Sequence, residues 1–133
     1  MMKSLSYAGM KVHIRLRRTD FLEKKEEIIA DTNGLFNDER LLYLEEDGKT
    51  HQKITFHDNA VIIDREGTYG SKIVLPDDAA GQCMVYSPYG EMAMDASLCD
   101  KHKEDGKWLV EYKISSAQQL VMHVKLEWEF SAI

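Results

Sequence analysis

The sequence predicts an all-β protein, a single antiparallel up-and-down meander closed into a barrel of about eight to ten strands. Three observations lead there. Apolar and polar residues alternate with period two along most of the chain, the rhythm of strands with one dry and one wet face. Turn-forming pairs interrupt that rhythm every 8–12 residues or so, short enough to join neighbouring strands directly. A meander this long would leave two exposed edges, and closing the sheet removes them; a two-sheet sandwich is the alternative.

Residues 1–9 read as a poorly ordered N-terminal segment and 10–130 as the barrel, all within one domain of 133 residues. Met10, Val12, Ile14 and Leu16 alternate with Lys11, His13, Arg15 and Arg17, which gives a first strand. The stretch from Phe21 to Ala30 is mixed. Its lysines and glutamates suit a short helix, but a strand over 27–32, running to a turn at Asn33-Gly34, keeps the meander regular. Leu42 and Leu44 share a parity with Glu46. Ile54 and Phe56 alternate with Lys53, Thr55 and His57, and in Ala60-Val61-Ile62-Ile63 either parity could face inward. Residues 71–76 and 82–87 give weaker strands. Met92, Met94, Ala96 and Leu98 share one face, as do Trp108, Val110, Tyr112 and Ile114. The last strand is the clearest: Leu120, Met122, Val124, Leu126, Trp128 and Phe130 occupy alternate positions, which a helix would scatter around its surface. Asp47-Gly48, Asp58-Asn59, Glu66-Gly67, Ser87-Pro88-Tyr89-Gly90 and Asp105-Gly106 mark turns, and 77–81 and 115–118 short loops.

The net charge of −6 repels phosphate backbones and argues against nucleic-acid binding. Two cysteines, Cys83 and Cys99, are too few for a secreted disulfide scaffold. The start carries no signal-peptide h-region, and no apolar run reaches the roughly 20 residues of a membrane helix. A cytoplasmic chain with free thiols and no membrane association is expected.

An Asn33-Gly34-Leu35 turn, Tyr43-Leu44-Glu45-Glu46, an Arg65-Glu66-Gly67 turn, Tyr86-Ser87-Pro88-Tyr89-Gly90, and Gly106 followed by Leu109 to Tyr112 occur in an order that resembles the YwiB-like family. These are short bacterial proteins of unknown function with a calycin-like, lipocalin-related barrel. The resemblance spans roughly residues 10–130, with Ser87 where that family more often has threonine. It implies the barrel and brings no activity with it.

Site candidates follow from polar residues of inward parity. If Leu42 and Leu44 face in, so does Glu46; if Val61 and Ile63 face in, so does Arg65; Tyr112 shares the face of Trp108 and Val110. Arg65 and Tyr112 could then hold the head group of a small, partly apolar, acidic ligand inside the barrel, since a guanidinium matches a carboxylate bidentately. Equally, Arg65 and Glu46 could simply pair near one barrel end. His13, His51, His57 and His123 lie on polar parities and read as solvated. His13 and His123 would become neighbours if the first and last strands pair, but no metal-ligand spacing accompanies them. His102 falls in a charged loop, 101–107. Cys83 reads as core, Arg15, Arg17, Arg18, Lys24 and Lys25 as a solvated basic patch, and Met84, Met92, Met94 and Met122 as core filling.

No catalytic motif, metal set or cofactor loop is present, so the expectation leans away from an enzyme. The favoured reading is a non-catalytic barrel holding a small-molecule ligand, as monomer or homodimer. The alternative is a homodimeric interaction module with a filled barrel.

Overall fold

The computed structural model describes residues 9–133; the expected disorder at 1–9 falls almost wholly outside them. Ten antiparallel strands run in order: β1 (Met10–Asp20), β2 (Lys25–Phe36), β3 (Arg40–Leu44), β4 (His51–Phe56), β5 (Ala60–Glu66), β6 (Gly70–Pro76), β7 (Gly81–Ser87), β8 (Gly90–Glu104), β9 (Lys107–Ser116) and β10 (Gln119–Ala132). Each pairs with its neighbours in sequence, and β1 pairs with β10 to close the barrel.

The inward parities form one continuous core. Val12, Ile14 and Leu16 meet Leu41, Ile54, Val61, Leu75, Val110, Val124 and Trp128 in the interior. The Trp128 Nε1–H donates to the Tyr43 hydroxyl across 3.1 Å, tying β10 to β3 through the barrel. The end near the β4–β5 turn is plugged by Phe36, Phe56, Trp108 and Phe130, with ring centroids 4.9–5.9 Å apart. Such aromatic contacts add to area burial. The interior is therefore a packed core: Trp108, the largest side chain there, is 1% exposed.

Three register shifts modify the alternation. A bulge inserts one unpaired residue and sends everything beyond it to the opposite face. Between β1 and β2 the extra residue is Ile29, since Leu16 faces Ala30 and Arg17 faces Ile28. Between β8 and β9 it is Cys99, as Leu98 faces Tyr112 and Asp100 faces Glu111. Beyond it Lys101 and Lys103 lie opposite the inward Val110 and Trp108. Residues 101–104 are thus strand, where the sequence suggested a loop. Lys101 Nζ reaches the carbonyls of His57 and Asp58 at 3.2 and 2.7 Å and Asp77 Oδ1 at 2.7 Å, strapping the plugged end. Between β9 and β10 the extra residue is Val121, so Leu120 pairs with outward Ser115 and leaves the face its alternation assigned it.

The mixed stretch after β1 resolves into a turn and a strand. Asp20 Oδ1 accepts from the backbone N–H groups of Leu22 and Glu23, both at 3.0 Å, and Lys24 adopts φ 55°. That cap makes a tight reversal where a helix was the alternative. The expected turn at Asn33-Gly34 is corrected: both residues lie within β2, and the chain reverses at 37–39. Gly34 serves packing instead. A Cβ there would come within 2.3 Å of the Leu42 carbonyl oxygen and 2.7 Å of Ile14 Cδ1. The β9–β10 turn, by contrast, places Ala117 and Gln118 at φ 51° and 67°, a two-residue connection that favours Asn-Gly.

Two stability predictions follow from these backbone positions. Gly34→Ala lowers unfolding free energy by about 2 kcal/mol, the cost of overpacking against rigid backbone. Ala117→Asn combined with Gln118→Gly raises it by about 1 kcal/mol, because both left-handed positions are relieved. Urea denaturation midpoints at constant m-value measure both.

Candidate functional site

β2 is twelve residues long, yet it pairs with β3 only through Gly34–Tyr43, Leu35–Leu42 and Phe36–Leu41. From Asn33 back to Lys25 its ladder is one-sided, made with β1 alone. The barrel wall therefore splits between residues 25–33 of β2 and the hairpin of β3 and β4. The split opens into a cleft of about 760 Å³, within the size range of small-molecule sites. Its apolar lining comes from Leu16, Ile28, Ala30, Tyr43 and Leu44. Ile28, Ile29 and Leu44 remain 40%, 44% and 42% exposed at its rim.

The charged side of the cleft is built by β3 and its loop. Leu41 and Tyr43 are the buried residues of β3, so the next inward position is Glu45, while Leu44 and Glu46 face out. This corrects the inward placement of Glu46. Leu41-Leu42-Tyr43-Leu44 is apolar at every position, so the residue pattern leaves the parity open; the register with β2 turns Leu41 and Tyr43 inward, where Tyr43 meets Trp128. Val61 and Ile63 face in, and Arg65 continues their side of β5 to the cleft. Its Nε–H and Nη2–H donate to the two oxygens of Glu45 at 2.7 and 2.9 Å, and Nη1–H to the Tyr69 carbonyl at 3.0 Å. Gln52 Nε2 donates to the same carboxylate at 2.6 Å. The ion pair expected near one barrel end thus exists with Glu45 in place of Glu46. The guanidinium holds the Glu45 carboxyl below its ordinary range, against the desolvation that raises it.

The loop beyond is tied by Asp47. Its Oδ1 accepts from the N–H groups of Lys49 and Thr50 at 2.8 Å each, and its Oδ2 accepts from Thr50 Oγ1 at 2.6 Å. These bonds, led by the Thr50 hydroxyl, lower the Asp47 carboxyl to about 2. On the opposite lip, Asp31 accepts from His13 Nε2, and Asn33 Oδ1 lies 2.9 Å from His13 Nδ1. Hydrogen bonds first to Asn33 and then to Asp31 raise the His13 pKa. Four carboxylates, Asp31, Glu45, Glu46 and Asp47, thus line the cleft together with one guanidinium that already has its carboxylate partner. The site attracts positive charge.

Tyr112 lies elsewhere. It is 5% exposed, facing Leu98 on one side and Val124 on the other, and does not line the cleft. Burial pushes its hydroxyl well above the ordinary range, with nearby Arg18 opposing. Arg65 and Tyr112 are not brought together, and the packed interior separates them. β1 and β10 do pair, but in a register that sets His13 opposite Ser131 and Val124 opposite Asp20, so His13 and His123 stand far apart along the strands. Cys83 is buried in the core, as expected. Asp31, Thr32, Gln52 and the one-sided β2 escaped sequence reasoning, because a gap in a ladder leaves no mark on the residue pattern.

The sequence profile of a family described as "Domain of unknown function (DUF1934)" matches residues 12–127. The crystal structure of the ywiB protein from Bacillus subtilis is similar in fold, with a TM-score of 0.70 over 93% of this chain and 92% of that one, at 12% sequence identity. No curated protein matches the chain. The expected barrel and the resemblance read from its turns agree with both matches. Among the described residues, no helix is long and apolar enough to cross a membrane.

The loop carries a pH signature. Glu45 and Asp47 have lowered folded-state pKa values, so the stability they confer is complete above the unfolded carboxylate range near about 4. It is lost as pH falls through the folded values, about 2 for Asp47. In an NMR titration the Lys49 and Thr50 amide shifts hold steady down to about pH 4 and move only below it. Asp47→Ala abolishes that acid-range transition at both amides.

Proposed function

The chain belongs to the DUF1934 family, whose function is unknown, and from its geometry we propose a non-catalytic binding module for a small, partly apolar, positively charged ligand. The ligand lies in the split between β2 and the β3–β4 hairpin. The observation that carries this reading is the one-sided ladder of β2 beside an apolar cleft ringed by carboxylates.

The filled interior turns the reading away from a ligand held at the barrel axis, and the Glu45 carboxylate already occupies the Arg65 fork that an acidic head group would need. An ammonium meets the opposite situation. Glu46 stands exposed on the rim, and Leu44, Ile28 and Leu16 offer a surface for an attached hydrocarbon. Burying that hydrocarbon contributes about 25 cal/mol per Å², and the carboxylates select the sign of the charge.

Homodimerisation through the same edge is disfavoured by charge. Two β2 strands laid side by side would bring Glu26, Glu27 and Asp31 of one copy toward those of the other, and the Ile29 bulge breaks the flat edge such pairing needs. A cytoplasmic setting suits the exposed Cys99 thiol, which an oxidising compartment would couple.

Thermal-shift and calorimetric titrations with a long-chain alkylammonium and the fatty carboxylate of equal length test the reading. The ammonium raises the unfolding midpoint and the carboxylate leaves it unchanged. Glu46→Lys, an exposed substitution that spares the core, removes the ammonium effect. Equal effects of the two amphiphiles, or no effect of either, overturn the proposal.

A further inference from the structure

A second polar cluster lies on the outer face of β8, β9 and β10, away from the cleft. It is assembled by the bulge between Leu98 and Asp100, whose extra residue is Cys99. Without the bulge, alternation along β8 would set Cys99 as an ordinary outward residue two places from Lys101. With it, the thiol is exposed beside the Tyr112–Glu111 step of β9. One strand further, His123 Nε2 lies 2.7 Å from Glu111 Oε2. The ligand atoms of Cys99, Glu111 and His123 all fall within 4.8 Å of one another.

The histidine is held in place. Its ring packs against Phe21 with centroids 4.4 Å apart, and its carbonyl accepts from the Phe21 N–H at 3.0 Å. A turn residue thus fixes the ring with Nε2 toward the carboxylate. Fixing a ligand's orientation through surrounding contacts is what metal centres require.

We propose that Cys99, Glu111 and His123 bind one zinc-class divalent cation, with a fourth position open to solvent. A thiolate, an imidazole and a carboxylate suit a borderline-soft, tetrahedral ion and fit magnesium or calcium poorly. With Zn–N and Zn–O bonds of about 2.0–2.1 Å at a tetrahedral angle, the two atoms stand about 3.3 Å apart. The Glu111–His123 contact, 2.7 Å as it stands, therefore opens by about 0.6 Å to admit the ion between them. Cys99 loses its thiol proton to solvent on binding, so affinity rises with pH. Around the site, Asp100 and Lys125 lie opposite Glu111, and Lys113 lies opposite His123. Without the ion, desolvation first of all keeps the Cys99 thiol protonated, Glu111 and Asp100 add to that, and Lys113 opposes it. A bound cation reverses that balance. The site is independent of the β2 cleft, and neither proposal requires the other.

Titration of the metal-free full chain with Co²⁺, followed by absorption, tests it. A thiolate-to-cobalt charge-transfer band in the near ultraviolet and intense tetrahedral visible bands are expected, and Zn²⁺ displaces both. Cys99→Ser removes the charge-transfer band. Glu111→Gln and His123→Gln each weaken binding by more than the roughly 10–100-fold that loss of a mere outer partner causes. Cys83→Ser, a control in the core, leaves the spectrum unchanged, and circular dichroism establishes that each variant keeps its sheet. Absence of the charge-transfer band in the native chain, or its survival in Cys99→Ser, overturns the proposal.

Discussion

A closed sheet fixes which side chains meet water, because every residue added to one strand of a pair carries all that follows to the other face. In this barrel the constraint governs both the core and its exceptions. Inward Val12, Ile14 and Leu16 demand inward Leu41 and Tyr43, which demand Ile54, Ile63 and Ile73 in turn, around to Trp128 and Phe130. The three bulges are the places where the rule is locally suspended. At Ile29 two isoleucines are left at the surface beside the cleft. At Cys99 an extra outward residue is inserted, and beyond it two lysines fold over the plugged end. At Val121 Leu120 is displaced from the core face.

Much of this order was legible in the residues. The alternations in 10–16, 108–114 and 122–130 survive intact, and Gly48, Gly90 and Gly106 sit at positive φ in the turns their sequence marked. The failures share a cause. In Leu41-Leu42-Tyr43-Leu44 both parities are apolar, so the register with β2 and the Tyr43–Trp128 hydrogen bond, made across 85 residues of chain, assign Glu45 inward and Glu46 outward. Gly34 looks like a turn residue from its neighbour Asn33, yet its role is to let the Leu42 carbonyl and Ile14 approach. Bulges have no composition of their own, and so the inward Lys101 could not be read from spacing, although Cys99 keeps the outward side that alternation gives it.

The Arg65–Glu45 pair shows how a single parity step changes chemistry. Had Glu46 faced inward, Arg65 would have met a carboxylate at the end of a strand facing solvent. Glu45 instead reaches it bidentately, with Gln52 completing the same carboxylate and Tyr69 the third guanidinium donor. A guanidinium so engaged has its bidentate fork already filled by a carboxylate, and it holds the hairpin loop against β5. The side chain that looked like a ligand-binding group is a structural clamp, and the electrostatics of the cleft fall to the surrounding carboxylates.

Barrels close in order to have no edges, which makes the one-sided stretch of β2 from 25 to 33 the least expected feature of the fold. Completing the ladder there would require the β3–β4 hairpin to lie against residues 25–33. The Asp47 knot prevents it, by drawing Lys49 and Thr50 into a tight loop that ends β3 at Leu44. The opposite side is secured as firmly, since Asp20 caps the turn from which β2 starts and eleven register pairs bind β2 to β1. The gap is thus held open by two capped turns, each centred on an aspartate. Glu27 and Lys25 guard the exposed edge against another strand, and the bulge at Ile29 bends it. An edge kept open and protected against self-pairing is a wall feature that a binding role accounts for and barrel stability alone does not.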